Sequence, residues 1–86
     1  MPRLKHPKVV SRKLGKHQAW GLFDGKIHID ERLRGKRKLE ILIHEYLHFL
    51  DFNKPEEKVD LEGRKIADFL WRQGARFIDN ETKLPT

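Results

Sequence analysis

The sequence predicts a small α+β domain, an antiparallel β-hairpin or three-stranded sheet packed on one long apolar helix, with a second helix antiparallel to the first. Three observations carry this expectation. Gln18 to Asp30, QAWGLFDGKIHID, sets two apolar, β-favouring runs on either side of Asp24-Gly25, a dipeptide suited to a two-residue type I′ turn. Leu39 to Phe52, LEILIHEYLHFLDF, contains no Pro or Gly and is apolar on most of its circumference, the pattern of a helix covered on several sides. Pro55-Glu56-Glu57 then opens a third periodic stretch, with acids suited to a helix N-terminus and a stop at Gly74.

The 86 residues allow one domain, near the size where a hydrophobic core alone is only marginally stabilising. With no cysteine, disulfides, thiolate metal ligands and cysteine nucleophiles are all excluded. No apolar run is long enough for a membrane span or a signal core, so a soluble, cytoplasmic protein is expected, in the host cytoplasm if phage-encoded. The net charge of +6 arises mainly from Arg3 to Lys16 and Arg32 to Lys38. Such a surface attracts nucleic acid or an acidic partner, although the aromatic residues fall mostly outside these basic runs.

Residues 1–17, with Pro2, Pro7 and Gly15, read as a basic arm or edge strand in which only Val9-Val10 favours extension. His6 and His17 in this polar stretch read as solvent-facing. The core spans 18–74, beginning with a hairpin over 18–30. Its second strand alternates Ile27 and Ile29 with Lys26, His28 and Asp30, so one face packs on the helix and the other carries His28. Gly35 interrupts the connection, and the first helix is expected over about 36–52. Leu39, Leu42, Ile43, Tyr46, Leu47 and Leu50 form its main stripe, flanked by His44 and His48. The second helix, about 55–73, presents Val59, Gly63, Ile66, Ala67 and Leu70 on one face; residues 75–86 form a tail.

The pattern His44-Glu45-Tyr46-Leu47-His48 carries the chemistry. Residues four apart share a helix face, so both imidazoles can reach one zinc ion. Glu45 then stands beside the ion, where a carboxylate can take a proton from water that zinc acidifies to a pKa of about 7. A catalytic zinc site needs a third protein ligand, and without cysteine the metal must be held by histidine and carboxylate. Asp60, beside the packing face of the second helix, is the first choice, Glu56 the second, then Glu57 and Asp51. For stabilising a developing oxyanion the candidates are His28, Tyr46 and Arg64.

The order hairpin, HEYLH helix, short connection and acidic helix resembles the minimal zincin core, particularly the ImmA/IrrE-type and minigluzincin metallopeptidases. In those families the second helix follows E-x-x-A-N-x-F-A-x-x-L, with the glutamate on zinc. Asp60-x-x-Gly63-Arg64-x-Ile66-Ala67-x-x-Leu70 matches that spacing, with Asp for Glu and Arg for Asn; a second register starting at Glu56 keeps the glutamate. The chain also resembles small metallopeptidase-like proteins of bacteriophages, whose second helix ends in Leu-Trp as Leu70-Trp71 does here. The resemblance covers Trp20 to Gly74. It implies a zinc metallopeptidase acting on a peptide or protein, with His44, His48 and an acid as ligands and Glu45 as general base. The alternatives are a weakly active or inactive zincin-like interaction protein and a basic nucleic-acid-binding domain.

Overall fold

A computed structural model describes residues 4–15 and 19–77. The expectations for His17, for the first residue of the hairpin and for most of the C-terminal tail lie outside the described residues. The elements run β1 (Val9–Arg12), β2 (Gly21–Phe23), β3 (Ile27–Asp30), α1 (Gly35–Leu50) and α2 (Glu56–Arg72). The fold is α+β, a three-stranded sheet with two helices.

The sheet is mixed and not purely antiparallel. Its order is β1-β3-β2, with β1 parallel and β2 antiparallel to β3. The hairpin therefore forms, but its partner on the far side is the N-terminal strand, which leaves β2 as an edge. Phe23 opposes Ile27, so the connecting loop has three residues, 24–26, where a two-residue turn was expected. Asp24 explains the difference: its Oδ1 accepts the Lys26 N–H at 3.2 Å while its own N–H donates to the Lys26 carbonyl at 3.1 Å, with Gly25 at φ 102°.

Ile27 and Ile29 point from β3 into the core and meet Leu33 and Ile41. On α1 the buried apolar positions are Ile41 and Leu47, whereas Leu50, assigned to the main stripe from sequence, is exposed. The shift has a simple cause: α1 has two partners, and the stripe is split between the sheet and α2. Leu14 and Leu33, both from segments read as arm and connection, are also fully or nearly fully buried.

Helix boundaries follow local chemistry. Gly35, at φ 59°, is itself the first residue of α1, its left-handed backbone turning the chain out of the preceding loop. Pro55 caps α2 from outside, its carbonyl accepting the N–H groups of Lys58 and Val59 at 3.0 and 3.1 Å. At the other end Gly74 (φ 99°) donates to Trp71 O and Ala75 to Leu70 O, both at 3.0 Å, the bonding pattern of a Schellman cap.

At the end of β3, Asp30 is a local anchor, buried to 1 % exposure. Its carboxylate accepts from Leu14 N (3.2 Å), Arg32 N (2.9 Å), Arg32 Nε (2.8 Å) and Arg32 Nη2 (2.9 Å). These bonds, those from Arg32 foremost, hold its pKa well below the usual carboxylate range.

Candidate metal centre

His44 and His48 stand one turn apart on α1, with ring centroids 5.1 Å apart. The five residues after Leu50 reverse the chain and bring Glu56, the first residue of α2, across to them. Glu56 Oε1 lies 2.7 Å from His44 Nε2, and Oε2 lies 2.9 Å from His48 Nε2. One carboxylate thus spans both rings. It also sits in the first turn of α2, where the helix dipole favours negative charge.

These three residues form a group that could hold a metal ion, with one ligand atom from each and all of them within 4.8 Å of one another. The spacing suits a small cation. Zinc would be held by imidazole nitrogen and carboxylate oxygen at about 2.0–2.2 Å, and these three side chains are close enough to converge on one ion. The donor set is two imidazoles and one carboxylate.

The sequence placed Asp60 first as third ligand and Glu56 second; the structure brings Glu56, and not Asp60, to the two histidines. Asp60 is not brought to the histidines; its side chain is 52 % exposed and pairs with Arg64 Nη2 at 3.1 Å. The face of α2 that meets α1 is Val59, Gly63 and Ala67. Gly63, not Asp60, lies against His44: a Cβ there would be 3.5 Å from His44 Cα. Glu56, at the start of the helix, reaches both imidazoles from the end of α2. Glu57 is exposed, and Asp51 accepts the Asn53 N–H at 3.2 Å while ending α1. The sequence signal for Glu56 was present, in the register that preserved a glutamate.

Glu45 borders the same cleft, which has a volume of about 330 Å³ and is lined by Gly21, Phe23, His44, Glu45, His48, Phe52 and Glu56. It is 7 % exposed. Burial pushes its pKa up, an effect that His44 and His48 oppose and Glu56 reinforces. A glycine faces it on the edge strand. At Gly21 a Cβ would come 2.7 Å from Ile41 Cγ2 and 3.1 Å from Glu45 Oε2, so any side chain there would displace both.

None of the three residues considered for oxyanion stabilisation lines the cleft. Arg12 Nε donates to His28 Nδ1 at 3.2 Å, so His28 is the Nε2–H tautomer and donates to Asp24 Oδ1 at 2.9 Å. The Tyr46 hydroxyl is 2.9 Å from His6 Nδ1, and Arg64 is paired with Asp60. His6, read as solvent-facing, is exposed but has this partner. No helix among the described residues is long and apolar enough to cross a membrane.

No protein-family model matches the chain, and no curated protein or solved structure shows significant similarity to it.

Proposed function

We propose that this protein is a zinc-dependent peptidase of the HExxH kind, with His44, His48 and Glu56 as zinc ligands and Glu45 as general base. The observation that carries the reading is the convergence of Glu56 on both imidazoles beside a buried carboxylate in one open cleft. Two imidazoles and a carboxylate are a common catalytic zinc set, leaving a fourth position free. When bound, zinc supplies a Lewis-acidic centre that polarises a carbonyl and lowers the pKa of water.

The chain's own groups do the rest. Glu45 takes a proton from the attacking water on its carboxylate and hands it to the leaving amine nitrogen. The outer edge of β2 runs along the cleft and offers backbone donors and acceptors to an extended peptide. Gly21 keeps that edge close to Glu45, and Phe23 and Phe52 give the cleft apolar walls.

One observation favours a second reading, zinc binding without turnover: among the described residues no oxyanion-stabilising side chain lines the cleft beyond the site residues themselves. A single experiment separates the two. Metal analysis of purified protein is expected to find one zinc per chain, and incubation with an unfolded protein substrate, read by mass spectrometry, is expected to yield discrete fragments. Glu45→Gln should keep the zinc and lose cleavage. Undiminished cleavage by Glu45→Gln would sink the mechanism, and full zinc occupancy with no cleavage by the wild type selects the binding-only reading.

A further inference from the structure

Folding segregates the charge of the two helices. Because α1 and α2 run antiparallel, the start of α1 meets the end of α2, where Lys36 Nζ contacts Asp68 Oδ1 at 2.7 Å and Gly35 approaches the Trp71 ring. Among the described residues this pole gathers Arg34, Lys36, Arg37, Lys38, Arg72 and Arg76, against the acids Glu31, Glu40 and Asp68. The opposite pole, with the metal-binding group, holds the acids Asp51, Glu56, Glu57, Asp60 and Glu62 against Lys54, Lys58 and Arg64, a net negative balance. The separation along α1 is about 20 Å, from 1.5 Å per residue over the 13 steps from Gly35 to His48.

The basic pole is built against its own stability. The first turn of α1 contains no acid, and Arg34 at its N-cap makes no side-chain capping bond. Cations there oppose the positive end of the helix dipole, an arrangement that a bound polyanion would relieve. Lys36 and Arg72 share one carboxylate, Asp68, at 2.7 and 2.9 Å. Positive charge therefore remains in excess after every pairing.

The tertiary structure also brings aromatic rings to these cations, which the linear order of the chain does not. Arg76 stacks over Trp71 at 3.7 Å, Lys38 over Phe77 at 4.5 Å, and Arg32 over Trp20 at 5.1 Å. Trp20 belongs to this end: its carbonyl accepts the Asp30 N–H at 2.9 Å, in the chain that leads through Arg32 into α1. Trp20 is 45 % exposed and Phe77 40 %. Cations that contact phosphates, beside aromatic and guanidinium planes that accept unpaired bases, are the two ingredients of single-strand recognition. An acidic protein would use the first but has no need of the second.

We infer that the pole formed by the start of α1 and the end of α2 binds single-stranded nucleic acid, leaving the metal-site cleft open at the other end. This does not depend on the peptidase reading. The test is fluorescence anisotropy of a labelled 20-nucleotide oligo-dT with the full chain. Binding is expected at 50 mM salt, weakening with a log–log slope of about −3 if four phosphates are contacted. Arg37→Glu combined with Arg72→Glu, both exposed positions, should weaken binding at least about ten-fold and halve that slope, with metal uptake unchanged. Trp20→Ala should weaken it about five- to ten-fold with the slope unaltered. No binding by the wild type at 50 mM salt overturns the inference. So does equal binding of a poly-glutamate peptide, which marks an acidic-protein surface, or tighter binding of a duplex of the same length.

Discussion

Removing Glu56 and Asp60 in turn decides which acid completes the metal group. Glu56 bridges His44 and His48 at 2.7 and 2.9 Å, while Asp60 is engaged with Arg64. A ligand that binds only the folded state stabilises it by RT ln(1 + [L]/Kd), about 2.7 kcal/mol at a hundred-fold excess over Kd. For a domain of this size each kcal/mol moves the melting temperature by about 4–8 °C. Zinc at that excess should therefore raise the wild-type melting temperature by about 10–20 °C. Losing even a supporting residue around a metal costs 10- to 100-fold in affinity, so losing a direct ligand should cost at least about 100-fold. At the same zinc concentration the excess of metal over Kd is then gone, and the shift falls to about 2–3 °C for Glu56→Ala. Asp60→Ala should keep the full shift. Since Glu56 also contacts both histidines directly, the quantity to compare is the zinc-induced shift within each variant, read by differential scanning fluorimetry or calorimetry. A collapsed shift in Asp60→Ala with a preserved one in Glu56→Ala would refute the assignment.

Two further outcomes follow from local geometry. At Gly63 an added Cβ would meet His44 Cα at 3.5 Å, an ordinary contact, so Gly63→Ala should fold normally and gain up to about 1 kcal/mol from helix propensity; Gly63→Leu should force α1 and α2 apart, costing about 1–3 kcal/mol and lowering zinc affinity, as calorimetry and zinc titration would report. For Asp30 the folded pKa lies below the unfolded one, so its contribution to stability is present above the ordinary carboxylate range and is lost as pH falls through the folded value. Asp30→Asn should therefore melt clearly below wild type at pH 7 and approach it in strong acid; an equal gap at both ends of a pH series of thermal melts would show that the ion pair with Arg32 is not the cause.

The overall element order was legible in the sequence because each element carries its own local signal. Alternation at Ile27 and Ile29 marks a strand, the Gly-free apolar run marks α1, and Gly74 marks the end of α2 through a left-handed backbone that only glycine adopts without strain. His44, Glu45 and His48 were legible for the same reason. Their mutual placement follows from 3.6 residues per turn and needs no knowledge of the rest of the chain.

What only the tertiary structure decided is everything that depends on how one element meets another. The parallel pairing of β1 with β3 leaves no local trace, and it makes β2 the edge beside the cleft. Leu14 and Leu33 look like loop residues until the core closes over them. The choice of Glu56 over Asp60 rests on the five residues after Leu50 and on Gly63 packing against His44, a contact between residues far apart in sequence. The meeting of Trp71 and Arg76 with the basic start of α1 has the same origin. Periodicity places side chains on a face of one helix, but a third ligand or a binding surface shared by two helices is set by the distance and angle at which they pack.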